Sequence, residues 1–323
     1  MKMKTTILTI LTALLAGAIP ARAQDKYPSK PVQIVVALAA ATTADILARM
    51  YAEKLTAQLG QPVVVQNRPG AGGTIAAQAV ASAAADGHTL LMINSAHSIN
   101  PALYSSLPYD TLRDFAGIAI VADSPALVVV NPQLGARTLK EFIALAKQKP
   151  GTINYASAGL GTATHLAGAY FASRAGIDIV HVPYKTSPDL ISDLLAGRIQ
   201  ATFVPPAFLL SQIRDGKLLA LGVSAPEAMR APLQVPSVRE AAGVDYEYGT
   251  WYGFLAPAKT PVPILELLSR ALQRIGEDKD VRDKYSAQGL VARNVALREF
   301  DAFIKADMDK LGPLVRASGA KAN

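Results

Sequence analysis

The 323-residue chain has no cysteine. Disulfides and a lipid on an N-terminal cysteine are thereby excluded, so in an oxidising compartment its stability rests on the core alone. Aromatic residues are scarce, at 6%. Lysines and arginines are scattered rather than gathered in a stripe, so nothing resembles a nucleic-acid groove. Beyond the N-terminus no segment approaches the roughly twenty apolar residues of a bilayer span. Catalytic signatures are missing too: there is no G-x-S-x-G elbow and no complete G-x-G-x-x-G, and Gly70-Ala71-Gly72-Gly73 runs into Thr74 and Ile75 rather than a P-loop lysine. His88, His97, His165 and His181 show neither H-E-x-x-H spacing nor thiolate partners. The expectation is no enzyme, no metal and no cofactor, with a hydrolase whose Ser-His-Asp set assembles only in space as the remaining catalytic reading.

What is present begins with Lys2 and Lys4, an apolar stretch from Ile7 to Ile19, Pro20 and Ala21-Arg22-Ala23. These are the three parts of a secretory signal peptide over residues 1–23, which predicts an exported, periplasmic protein starting near Gln24. Removing Lys2, Lys4 and Arg22 reduces the formal charge of +7 to 29 basic against 25 acidic residues. So mild an excess fits either weak steering of anionic small molecules or an ordinary soluble surface. About 300 mature residues suffice for two domains.

Short β-branched runs alternate with helical patterns along the chain. Strands are expected at Val32 to Leu38, Val63 to Gln66, Thr89 to Ile93, Ala126 to Val130, Ile179 to Pro183, Ala201 to Val204, Leu219 to Val223 and Trp251 to Ala256. Helices are expected at Asp45 to Gln58, Thr74 to Ala83, Thr138 to Lys149, Thr162 to Ala175, Pro188 to Ala196 and Ala207 to Asp215. Three more follow at Pro263 to Gly276, Asp280 to Gln288 and Arg298 to Ser318. Thr138 and Glu141 have capping-box spacing, and Gly176 stands where a helix would stop. Such alternation predicts an α/β fold of mainly parallel sheets flanked by helices, with ligands bound beyond the carboxyl ends of strands.

Residues 154 to 185 carry the clearest functional signal. A strand-like Asn154-Tyr155-Ala156-Ser157 leads through a small-residue turn into a helix, with Gly159, Gly161 and Thr162 at its start. Unpaired amides and the positive end of the helix dipole make that turn able to hold a carboxylate without Arg or Lys. The alternative is a plain helix start capped by Thr162.

Several ordered segments resemble the periplasmic substrate-binding proteins of tripartite tricarboxylate transporters, the Bug family. They are YPSKPVQIVV, LGQPVVVQNRPGAGGTIAAQAVA, ADGHTLLM, NPALYSSLPYDTLRDF, NYASAGLGTATHLAG, DIVHVPYK and GFLAPAKTP, and they cover essentially the whole mature chain. The resemblance implies a periplasmic-binding-protein-like, Venus-flytrap molecule, expected as a monomer. It would close on a small organic carboxylate and deliver it to the membrane subunits of such a transporter. An orphan receptor serving a sensor kinase is the alternative. One lobe would comprise residues 24–123 plus 248–323 and the other residues 124–247, hinged near Ser124-Pro125 and Tyr248 to Tyr252.

Carried over loop by loop, the resemblance puts ligand contacts first at Leu38, Ala39, Ala40, Ala41, Thr42, Thr43 and Asp45. Ala41 and Thr42 stand where relatives usually have glycines, and Asp45 reads as a helix cap. A second loop offers Ser95 and His97, with His97 and Asn100 either lining the site or satisfying local backbone groups in a turn. The third holds Ala158, Gly159, Gly161 and Thr162, with His165 one turn into the helix as ligand contact or structural histidine. Tyr184 forms the fourth with Lys185, which reads as charge attraction for the ligand or equally as a solvated surface residue, and Pro205 reads as pocket wall or plain loop. The apolar first loop suggests a ligand with an apolar body.

Overall fold

The computed structural model describes residues 27–40, 42–184, 187–225, 232–318 and 321. The leader read over residues 1–23, and Ala41, Lys185 and Thr186, lie outside them. The chain opens with β1 (Val32–Val36), α1 (Thr43–Leu59), β2 (Val63–Asn67), α2 (Thr74–Ala81), β3 (Thr89–Asn94), α3 (Ala96–Leu103) and β4 (Phe115–Pro125). It continues through β5 (Leu127–Val130), α4 (Leu139–Gln148), β6 (Asn154–Ser157), α5 (Ala163–Ala175), β7 (Val180–Pro183) and α6 (Ser187–Leu195). Then come β8 (Ala201–Val204), α7 (Pro206–Arg214), β9 (Leu219–Val223) and α8 (Val238–Ala242). The last part is β10 (Gly249–Pro257), α9 (Val262–Glu277), α10 (Lys279–Gln288), β11 (Val291–Ala296) and α11 (Arg298–Ala317).

Two sheets result, ordered β11-β4-β10-β3-β1-β2 and β7-β6-β8-β5-β9. Strands β1 to β4 point one way and β10 and β11 the other, while in the second sheet only β5 is reversed. The reversals follow from the crossings. A chain that leaves one sheet at a given end and enters the next at the facing end must run against the strands that finish there. That is the situation of β5, entered directly from β4, and of β10, entered from the second sheet. The register places the two ends together: Leu127, at the start of β5, pairs with Val204 and Val223, and Tyr252 pairs with Asn94. Thus the carboxyl ends of β1 and β3, and of β6 and β8, all lie toward the crossings.

Strands with two apolar faces are buried on both, as their composition predicts. In β1, Val32, Ile34 and Val36 join a core with α1 and α9, whereas Val35 packs on the other face with Ala76, Val80 and Phe300. In β5, Val128 and Val130 face Phe142 and Phe171 while Leu127 and Val129 face Leu190 and Leu194. Thr138 and Glu141 form the expected capping box, and Gly176 ends α5 in the left-handed conformation. Elsewhere α5 needs glycine for space: a Cβ on Gly168 would lie 2.3 Å from the Tyr155 ring.

Helix α11 belongs to both halves. Its Phe300 and Ile304 pack with Trp251 and Leu255 against the first sheet, while Leu311 and Val315 enter the core of the second with Tyr246 and Tyr248. Beside it, buried Ser224 clasps the two crossings, accepting from the Ala126 amide at 2.7 Å and donating to the Tyr248 carbonyl.

Candidate functional site

Five loops leave the strand ends that lie toward the crossings, those after β1, β3, β6, β7 and β8. The first, after β1, is held from behind. Asn67 Nδ2 donates to the Leu38 carbonyl at 3.0 Å and to Asp45 Oδ1 at 2.9 Å, and Arg49 Nε donates to Asp45 Oδ2 at 3.1 Å. The sequence reading of Asp45 as a cap is corrected here. Helix α1 starts at Thr43, which puts Asp45 inside its first turn, where the buried carboxylate meets the dipole's positive end and scaffolds the loop. Thr42 Oγ1 donates to the Ala39 carbonyl at 2.7 Å rather than capping, and Thr43 lies against the Tyr252 phenol. Ala39 and Ala40 remain exposed.

In the second loop, Ser95 ends buried with no partner for its hydroxyl among the described residues, at the carboxyl end of β3. His97 does not join it. This ring is fully buried, 5.0 Å edge-on to Phe115 and stacked 5.9 Å from Tyr109. Phe115 is the first residue of β4, at the end remote from the crossings, so His97 is a core residue. Burial pushes its pKa down to about 4, against a weaker pull from the Thr111 backbone. Asn100 donates from Nδ2 to the Gly72 carbonyl at 3.0 Å, a structural bond to a distant loop rather than to its own turn.

The third loop is the most informative. Below it the rings of Tyr155, His165 and His181 stack, the two imidazoles 3.8 Å apart. His165 Nδ1 accepts the Gly161 amide at 3.0 Å, which requires that nitrogen to be unprotonated. His181 Nε2 pairs with Ser157 Oγ at 2.6 Å. Burial lowers the pKa of both rings, His181 to about 4 with repulsion from His165 adding to the effect. The pair is therefore neutral at pH 7 and supports the loop from beneath.

This wiring overturns the expectation that the Gly161 and Thr162 amides face a ligand. Gly161 is spent on His165, and Thr162 donates to the Gly159 carbonyl at 3.3 Å. Ala158 and Gly159 are occupied as well, donating to Thr164 Oγ1 and Ser157 Oγ at 3.0 and 3.1 Å. Thr162 is the N-cap of α5, its Oγ1 accepting weakly from the His165 amide at 3.4 Å. What stays open are the amides of Leu160, Ala163 and Thr164, which have no acceptor among the described residues. A cap at Thr162 makes Ala163 and Thr164 the first two helical positions, so the sequence did contain the signal for the residues it missed.

Tyr184 follows β7, its hydroxyl donating to Asp193 at 2.7 Å, and burial pushes its pKa up to about 12. Its amide donates to the Ser157 carbonyl at 2.9 Å, which ties it to the third loop. Pro205 sits before α7 and joins Ala163 and Thr164, together with Ser124 and Thr250 of the crossings, in one small hollow. No helix among the described residues is long and apolar enough to span a membrane, and no group of metal-ligating side chains occurs among them.

Comparison with known proteins agrees with this geometry. The profile described as "Tripartite tricarboxylate transporter family receptor" matches residues 47–320. Protein BugT of Bordetella pertussis is 34% identical over 314 residues, 97% of this chain and 95% of that protein. The solved structure "R. palustris Rpa4515 with adipate" superposes with a TM-score of 0.78 at 27% identity, covering 91% of this chain and 99% of that one. "MatC (Rpa3494) from Rhodopseudomonas palustris with bound malate" gives 0.73 at 28% identity, covering 90% and 100%.

Proposed function

Because the chain belongs to the tripartite tricarboxylate transporter receptor family, we propose that it captures a small organic carboxylate between its two sheets and passes it to that family's membrane subunits. It is a solute-binding protein and not an enzyme. Its place of work is the periplasm, with residues 1–23 removed on export. One lobe comprises residues 24–123 and 248–323 and the other residues 124–247, moving as a monomer about the crossings at Ser124-Pro125 and Tyr248 to Tyr252.

The observation that carries this reading is the set of open amides on Leu160, Ala163 and Thr164 at the start of the thirteen-residue helix α5. They form a preorganised anion cradle, rigid because every other amide of the turn is satisfied internally. Ser95 supplies a hydroxyl from the opposite sheet. Ala39, Ala40, Leu38 and Leu160, the last 51% exposed, give the ligand's body an apolar bed. Two relatives hold adipate and malate, so a dicarboxylate of that size range is the starting expectation for this chain.

A thermal-shift screen over mono- and dicarboxylates, including adipate and malate, tests the reading. A true ligand at a hundred times its dissociation constant adds about 2.7 kcal/mol of stability. No shift with any carboxylate, alongside a clear shift with neutral sugars, would overturn the proposal.

A further inference from the structure

Successive side chains of β4 and β10 face opposite ways. The register partners Ser124 and Thr250 face the hollow at the start of α5, whereas the partners Asp123 and Trp251 face a second cavity on the other side of the crossings. That cavity measures about 510 Å³, within the roughly 300–1,000 Å³ of small-molecule sites. Both halves of the molecule build it: Ser224, Glu247 and Tyr248 on one side, Val291 and Arg293 of β11 and Phe303 and Asp307 of α11 on the other.

Its charges are unevenly matched. Asp123 accepts from Arg293 Nη1 at 2.8 Å, and the Arg293 guanidinium lies 4.3 Å above the Phe303 ring. Lys310, also in the lining, donates to the Glu247 carbonyl at 2.8 Å, and its charge reaches Asp307 without forming an ion pair. Asp307 accepts from Trp251 Nε1 at 2.8 Å with the Ser98 hydroxyl beside it, both neutral, and no Lys or Arg among the described residues comes within 4 Å of it. Burial raises the pKa of both carboxyls above the ordinary range, and the charge of Asp307 adds to the rise at Asp123. Close by, the Tyr248 hydroxyl is buried without a partner among the described residues and senses the Asp307 charge. An unpartnered buried hydroxyl costs free energy that a ligand can return.

We propose that this cavity binds an organic ammonium ion with an apolar or aromatic body. The ammonium donates to Asp307 and to the Tyr248 oxygen, and the body packs against Val291 and Phe303. An anion is disfavoured there because Arg293 is already paired with Asp123 and Asp307 would repel it. Since an occupant touches both halves of the molecule, it couples to whatever rearranges them, and the coupling is reciprocal.

Trp251 is the sole tryptophan and lines the cavity, so its fluorescence reports on the site. Titration of the full chain with phenethylammonium chloride at constant ionic strength is expected to give a saturable change, and 2-phenylethanol, the same body without charge, none. Asp307→Asn weakens binding at least about tenfold by removing the charge partner. Ala306→Phe, which narrows the cavity from an exposed helix position and removes no buried polar group, does the same by calorimetry. No saturable response, an equal response to the alcohol, or unchanged affinity in both variants would overturn the proposal.

Discussion

Replacing Ala163 by proline deletes one open amide and almost nothing else. Ala163 is the first helical residue of α5, the position where proline's missing N–H and fixed φ are best tolerated. The residue before a proline has to be extended, and Thr162 already has φ −72° and ψ 162°. The α5 hydrogen bonds are untouched, because the Ala163 amide has no acceptor among the described residues. Stability should therefore change by less than about 1 kcal/mol, with a small gain possible through the stiffer unfolded chain. A hydrogen bond to a charged group contributes about 1.5–3 kcal/mol, so affinity for a carboxylate should fall roughly 10- to 150-fold. Calorimetric titration with adipate and a urea melt, run on wild type and Ala163→Pro, separate the two effects. Unchanged affinity in a stably folded variant would show that the turn does not grip the ligand.

Three other substitutions probe the architecture. With His97 lowered to about 4 from about 6.5 when unfolded, the unfolded chain binds more protons between those values, and stability is lost as pH falls from 6.5 toward 4. For this fully buried ring the loss is about 3 kcal/mol. His97→Phe should reduce the slope of the pH-stability curve in that window, to which His181 also contributes, and an unaltered acid slope would refute the assignment. Gly168→Ala drives a methyl into the Tyr155 ring and should cost about 1–3 kcal/mol in denaturant melts, with weaker ligand binding because that ring backs His165 and His181; equal stability would show that the contact relaxes freely. Leu160→Ser should weaken adipate about threefold to tenfold while leaving malate nearly unchanged, since removing part of an apolar wall costs of order 1 kcal/mol. Equal losses for both acids would argue against an apolar bed at this loop.

The alternation of β-branched runs and helical patterns was legible because strands such as β1 and β5 are buried on both faces and contain little but Val, Leu and Ile. Harder to see was β4, whose Phe115–Pro125 run is diluted by Gly117, Asp123 and several alanines. These residues are explained only by neighbours distant in sequence, Phe300 crowding Gly117 and Arg293 pairing with Asp123. Strand β11 carries Arg293 and Asn294 at a sheet edge, and α3 contains Pro101, so both lacked a clean period. At the site, the loop proposed to hold the anion was readable, but its open amides lie one or two positions to either side of Gly161 and Thr162. That shift depends on His165 folding back to take the Gly161 amide, an interaction set by the stack on His181 from another strand. His97 misled for a similar reason: three residues past a strand end it read as lining, whereas α3 carries it back under Phe115.

The last helix adds a constraint of a mechanical kind. A molecule joined through two polypeptide passes alone could swivel with little resistance, but here a rod twenty residues long is rooted by its first turns under one sheet and by its final turns under the other. Any rotation of the halves must bend this rod, slide it, or pull Leu311 and Val315 from their seats. In the proposed movement about the crossings, the opening angle is then set by side-chain packing some distance away, and substitutions at those two seats should widen it.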